Sequence, residues 1–262
     1  MNTNLQGKSA LITGGSRGIG KAIAMAFASE GMRVAICARE EGGLQQAADD
    51  IQTATRSEVL AVKANMTKAN DIRRFVKTAV NQFHHVHVLV NNAGGAHVGG
   101  INAISDEEWE YHLSLKLLGY IRAAREILPH FKENGGGKII NIIGMAAKEP
   151  APHFMVPGVT NAALVNFTKS LAKEVGGEGV FVNCINPGTV DTPLTGETFQ
   201  SLATMRQKTP EEIRQSIASS SPVGRLATAE DIAKVAVFLA SDASNYINGT
   251  SINVDAGRSA GL

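Results

Sequence analysis

Seven short β-branched runs recur along the chain: SALIT (9–13), RVAICA (33–38), EVLAVKA (58–64), VHVLVNN (86–92), KIINIIG (138–144), VFVNCIN (180–186) and SINVDAG (251–257). Most are apolar on successive residues instead of alternating, which is the pattern of strands covered on both faces. Segments with helical spacing separate them, among them 18–31, 104–131 and 228–242. Two helix starts carry capping signals, Ser105 three residues before Glu108 and Thr228 three before Asp231. Strand, helix, strand throughout predicts an α/β fold: a doubly wound parallel sheet of about seven strands flanked by helices. No Pro/Gly/Ser-rich linker and no repeat divides the 262 residues, so a single domain over 1–262 is expected. Residues 191–225 are longer and more polar than an ordinary connection, and are expected to form a lid over a site.

The bulk properties narrow the partners. Hydrophobic residues make up 44% and charged residues 19%, with a net charge of +1. There is no basic block to engage nucleic acid or an anionic membrane surface, and no apolar run of membrane-spanning length. Cys37 and Cys184 sit inside apolar runs, so they read as buried strand residues, and a cytoplasmic location is expected. His84, His85 and His87 straddle a helix end and a strand without carboxylate or thiol partners, so no metal is assigned to them.

The first run leads straight into TGGSRGIG (13–20). Strand, glycine turn, helix is the arrangement that lets backbone N–H groups and a helix N-terminus approach a pyrophosphate. The spacing is not GxGxxG, so the turn alone is modest evidence. Three further motifs follow in order: NNAG (91–94), NPGTVDTP (186–193) and NGTSINVDAG (248–257).

Together these motifs, from Gly7 to Gly257, resemble the short-chain dehydrogenase/reductase superfamily. The resemblance implies a single-domain Rossmann fold, a nicotinamide cofactor, a small-molecule substrate and commonly a homotetramer, with a dimer the other common form. By position it implies a cofactor set of Gly14, Ser16, Arg17, Gly18, Ile19 and Gly20 in the turn, Arg39 after the second run, and Asn65 with Met66 beside the adenine. Asn92, Ala93 and Gly94 would line the adenosine ribose and steady the sheet, Asn161 could reach a ribose hydroxyl, and Pro187, Gly188, Val190 and Thr192 would hold the nicotinamide end.

The second run ends Ala38-Arg39, where an NAD-preferring protein usually places a carboxylate for the ribose hydroxyls. With Arg17 in the turn, two guanidiniums and no carboxylate in that place suit a 2′-phosphate, so NADP(H) is preferred over NAD(H). The competing expectation is that Arg39 pairs with Glu40 or Glu41.

At the catalytic end the resemblance implies a Tyr that protonates the forming alkoxide, a Lys four residues later, a Ser that polarises the carbonyl, and an Asn on the long central helix. The corresponding positions hold Pro157, Asn161, Gly144 and Lys116. The tyrosines are Tyr111, Tyr120 and Tyr246, so no loop shift restores one near residue 157. Pro157 suits the first turn of a helix whose amphipathic spacing is clear from Asn161 onward, and it is expected to push Val156 into an extended conformation. A positioned general acid is worth roughly 10²–10⁴ in rate, so its loss handicaps redox chemistry without forbidding it. His112, Lys116 and Tyr120 are spaced to share a helix face. Lys116 is the candidate to stabilise an oxyanion, and His153, in the loop before the altered helix, is a second candidate; His97 is a third. The expected function is an NADP(H)-dependent oxidoreductase acting on a small carbonyl, enone or imine with a non-standard or absent proton donor. The alternatives are a lyase or hydrolase holding the dinucleotide as a structural part, or a non-catalytic nucleotide-binding protein.

Overall fold

In a computed structural model, residues 3–95 and 97–260 are described. All the expected strands form: β1 (Ser9–Thr13), β2 (Arg33–Ala38), β3 (Val59–Lys63), β4 (Val88–Asn91), β5 (Gly137–Ile142), β6 (Val180–Pro187) and β7 (Ser251–Val254). They make one parallel sheet in the order β3-β2-β1-β4-β5-β6-β7. Successive strand side chains alternate faces, so β1 feeds two cores. Ala10 and Ile12 pack with α1 (Gly18–Ser29), α2 (Glu41–Thr55) and α9 (Ala229–Ala240). Leu11 packs on the other face with α3 (Ala69–Phe83), α5 (Gly119–Glu133) and α6 (Met155–Val175). All five residues of β1 are buried, which is why the run carries no polar alternation. Cys37 and Cys184 are buried and unpaired, and burial pushes the Cys37 thiol up to about 12.

The chain reverses direction across the sheet between β1 and β4, and the crevice outside their carboxyl ends is where doubly wound sheets bind ligands. Three features shape that crevice. The long helical segment is broken into α4 (Asp106–His112), a wider π-helical turn (Leu113–Leu118) and α5, so Lys116 lies on a π segment. Helix α6 starts at Met155 with Pro157 in its first turn, as expected, but it includes Val156, which was expected to be extended. Pro157 is its third residue, where no intrahelical N–H bond is lost, and burial of the Val156 side chain to 2% exposure outweighs the bias against helix before proline. The segment 191–225 contains α7 (Pro193–Arg206) and α8 (Pro210–Ser219). Phe199, Leu202, Ala203 and Ile213 form a small core of their own that packs on Val98 and Phe154. Both predicted capping boxes are present, at Ser105–Glu108 and Thr228–Asp231.

Candidate active site

The turn after β1 is built so tightly that two glycines have no substitute. Gly14 has φ +68°, and a Cβ there would lie 2.9 Å from the Ala93 Cα. A Cβ on Gly20 would lie 2.2 Å from the Gly14 carbonyl oxygen. Asn92 ties the turn to β4: its Nδ2 donates to the carbonyls of Thr13 (3.0 Å) and Gly14 (3.1 Å). Thr13 Oγ1 in return accepts from the N–H groups of Asn92 and Ala93. Ser16 and Ile19 lie in this turn and its helix start; Gly18, at φ +57°, faces the Thr192 methyl. The turn is thus packed against its own backbone and the NNAG segment, with no room for a side chain at Gly14 or Gly20.

The two arginines at the cradle have partners that sequence reasoning did not name. Arg17 Nη1 is 2.9 Å from Glu197 Oε1 on α7. Arg39 Nη1 donates to Tyr111 Oη on α4 at 2.5 Å. It pairs with neither Glu40 nor Glu41, and Glu41 is taken by Lys63 at 3.4 Å. Asn65 Oδ1 is used locally, accepting from the Thr67 N–H and hydroxyl at 3.0 Å each, while Met66 is buried beside Cys37.

Lys116 crosses from the π turn toward the end of β5. Its Nζ donates to the Ile143 carbonyl at 2.6 Å and to Asn161 Oδ1 at 2.8 Å. A Cβ on Gly94 would meet the Lys116 Cδ at 3.5 Å, so the lysine stem runs along the NNAG segment. Asn161 is buried, and its Nδ2 sits 3.5 Å from the Gly144 carbonyl. Gly144 has φ +127°, and a side chain there would come within 3.2 Å of that same amide. Lys116, Gly144 and Asn161 thus form one packed group. Desolvation pulls the Lys116 ammonium down to about 7, while its two accepting oxygens favour the charged form. The residue as a whole is half-buried, while its ammonium sits among protein atoms.

The remaining candidates divide. Tyr120 turns to the same strand end and donates to the Ile142 carbonyl at 2.9 Å, but it is fully buried and its pKa is raised. His112 parts from Lys116 across the widened turn and faces His97, ring centroids 5.6 Å apart. Desolvation, then His97, lowers its pKa. His97 Nδ1 also lies 3.8 Å from Glu108 Oε1. His153 is exposed at φ +66°, with its carbonyl accepting from the Gly99 N–H; no hydrogen bond joins its side chain to Lys116 or Asn161. His87 Nδ1 accepts from the Ser9 N–H at 3.2 Å and is held down to about 4, mainly by desolvation. Among the described residues no group of three or more His, Cys, Asp or Glu could hold a metal.

At the end of β6, Pro187 closes the strand and the Gly188 N–H donates to the Val254 carbonyl at 3.0 Å. Val190 bridges to Ala227, and Thr192 caps α7 through the Thr195 N–H. A cavity of about 300 Å³ opens beside this loop, bounded by Thr189, Leu226, Val254 and Arg258. Neither Lys116 nor Asn161 lines it, so it is not the space in front of the lysine.

Residues 14–259 match the sequence profile of the enoyl-(acyl carrier protein) reductase family. The chain is 35% identical over 254 residues to the short-chain reductase protein NovJ of Streptomyces niveus, covering 95% of this chain and 93% of that one. The chain belongs to the short-chain dehydrogenase/reductase superfamily. Among solved members, L-sorbose reductase from Gluconobacter frateurii, complexed with NADPH and L-sorbose, is 34% identical over all of both chains with a TM-score of 0.94. The 3-ketoacyl-(acyl-carrier-protein) reductase of Brucella melitensis, complexed with NADH, is 33% identical with a TM-score of 0.87, covering 97% of this chain and 99% of that one. These superfamily relatives are oxidoreductases, and their structures carry either nicotinamide cofactor. In this member no tyrosine reaches the Lys116 group: Tyr111 is on Arg39, Tyr120 is buried on β5 and Tyr246 is fully exposed. The partners Tyr111 and Glu197 had no sequence signal, because each meets its arginine across 72 and 180 positions of chain.

Proposed function

We propose that this superfamily member is an NADP(H)-dependent reductase of small carbonyl compounds in which Lys116 takes over the role of proton donor. The observation that carries the reading is the Lys116–Asn161 hydrogen bond of 2.8 Å. The resemblance places an Asn at 116 and a Lys at 161; this chain has the two identities exchanged, so an ammonium and an amide still meet between the central helix and α6. An ammonium has three donors. Two are used on Ile143 and Asn161, which orient the group and leave the third proton for a substrate oxygen.

The glycine turn, held in shape by Asn92 and Thr13, would hold the cofactor's phosphates and ribose, a reading supported by the close packing of the turn where only glycine fits at Gly14 and Gly20. When bound, the nicotinamide supplies a hydride. The chain's own residues supply the rest. Lys116 stabilises the negative charge that develops on the carbonyl oxygen and passes it a proton, with the pKa drawn toward neutrality where such a donor works best. Asn161 fixes the ammonium, and Gly144, unlike a serine, leaves room for the Asn161 amide. Helices α7 and α8 exclude water by closing from the Val98 and Phe154 side. Arg39, with no local carboxylate, favours NADP(H) over NAD(H). His153 stands exposed and apart from the Lys116 group, with no role in orienting it.

The test has two steps. NADPH and NADH are titrated by fluorescence; then loss of cofactor absorbance is followed against ketones that include a ketose sugar and a 3-ketoacyl thioester, with enones and imines. NADPH oxidation by at least one ketone, lost in Lys116→Ala, is the expected result. Tight NADPH binding with no oxidation by any compound would sink the reductase reading, and activity untouched in Lys116→Ala would remove Lys116 from it.

A further inference from the structure

The two guanidiniums at the cradle differ in what holds them. Arg17 meets a carboxylate, Glu197, which compensates its charge. Arg39 meets a neutral phenol, Tyr111 Oη, and no ion pair involves it among the described residues. Tyr111 is only 39% exposed for a surface residue of α4, and its ring also makes an edge contact with His112, centroids 5.3 Å apart. An arginine on the rim of a crevice has many rotamers of similar energy. Here one is chosen by a hydrogen bond from the opposite wall.

The direction of that bond matters. The guanidinium can only donate, so the phenol oxygen accepts, and the phenol O–H remains free to donate elsewhere. Beyond the end of β2 the crevice therefore carries two adjacent donors, one charged and one neutral, with no carboxylate paired to either. That is a fit for a dianionic phosphate monoester, and a poor one for a pair of ribose hydroxyls, which need an acceptor.

We propose that Tyr111 is a specificity-determining residue for the adenosine 2′-phosphate, holding Arg39 in place and donating its own hydroxyl proton to a phosphate oxygen. The inference rests on the reading of the chain as NADP(H)-dependent and adds a residue to it from α4, an element outside the glycine turn and β2. Tyr111 stands five positions before Lys116, so the central helix serves the adenosine end with one side chain and the reacting end with another.

The experiment compares wild type, Tyr111→Phe, Arg39→Leu and the double variant, titrated with NADPH, NADH, 2′,5′-ADP and 5′-AMP. Tyr111→Phe keeps the ring and its packing and removes only the hydroxyl. It is expected to weaken NADPH and 2′,5′-ADP by roughly tenfold, as loss of one charge-assisted hydrogen bond implies, with NADH and 5′-AMP unchanged. In the Arg39→Leu background the same change should cost much less, because the phenol then has no guanidinium to place. An equal loss for all four ligands would mean a merely structural role and overturn the inference, as would a fully additive double variant. A wild-type preference for NADPH that survives intact in Tyr111→Phe would overturn it alone. A wild type that binds NADH as tightly as NADPH would sink the cofactor reading and this inference with it.

Discussion

Lys116 Nζ and Asn161 Oδ1 lie 2.8 Å apart, joining the π turn of the central helix to the second turn of α6. The Ile143 carbonyl completes the seat of the ammonium at 2.6 Å. A lysine on one helix and an amide on the other satisfy each other, whereas two lysines would not.

That complementarity predicts a non-additive exchange. Asn161→Lys alone places two ammoniums in one enclosed group and should cost about 3 kcal/mol of stability, the scale of an uncompensated buried charge. The double change Lys116→Asn with Asn161→Lys should recover most of the loss. Urea melts of the two singles and the double give the coupling directly; simple addition of the two losses would show that the residues do not act as a pair.

The second prediction concerns pH. Reduction needs Lys116 protonated, and desolvation lowers its pKa from 10.5 to about 7. The reductive rate should therefore be highest below that value and fall as pH rises through it, while the reverse, oxidative direction rises. Lys116→Ala should lose a factor of roughly 10²–10⁴ and with it the pH dependence in this range. Steady-state rates from pH 5.5 to 9 at saturating NADPH provide the check.

The same lowered pKa bears on stability, with a definite sign. The unfolded chain binds a proton at Lys116 up to its ordinary value, and the folded chain gives it up lower, so folding is disfavoured by this group below about 7 and gains as pH rises toward 10.5. Lys116→Met should flatten that gain. Chemical denaturation at pH 7 and pH 9, wild type against variant, measures it.

Gly20 offers a steric test of the cradle. A methyl group there would sit 2.2 Å from the Gly14 carbonyl oxygen and 2.5 Å from Asn92 Nδ2. Gly20→Ala should push the turn outward, costing about 1–3 kcal/mol of stability and weakening NADPH and NADH alike, by at least roughly tenfold. Equilibrium binding on folded variant protein decides it, since a selective loss of one cofactor would contradict a shared pyrophosphate seat.

Glu197 makes the opposite kind of prediction. Its carboxylate holds Arg17 across the mouth of the cradle, with both side chains more than half exposed. A phosphate must displace it, so Glu197→Gln should tighten NADPH binding by roughly two- to fivefold at low salt, the modest scale of an exposed ion pair. The gain should vanish at high ionic strength. Weaker binding in the variant would mean that Glu197 helps to order α7 instead of competing for Arg17.

Particular residues show how far the chain could be read as a string. The β1 run was legible because both of its faces are buried, which forces five successive residues to be compatible with a core. The glycine turn was legible for a similar reason: a Cβ at Gly14 or Gly20 collides with backbone wherever the turn is made. Val156 was misread as extended because a local bias before proline was set against tertiary burial, and burial prevailed. The segment 191–225 is polar in sequence because its two helices expose most of their surface and bury only Phe199, Leu202, Ala203 and Ile213.

The sequence by itself determined the parallel doubly wound sheet and the place of the phosphate turn, since both depend on local periodicity and on where a side chain is forbidden. It also showed that no tyrosine lies between residues 121 and 245. Tertiary structure alone decided what the charged groups do. Lys116 with Asn161, Arg39 with Tyr111 and Arg17 with Glu197 are pairs separated by 45, 72 and 180 positions of chain. Hydrogen bonds and ion pairs act over a few ångströms, and spacing along the chain carries no record of which distant groups the fold brings within that range.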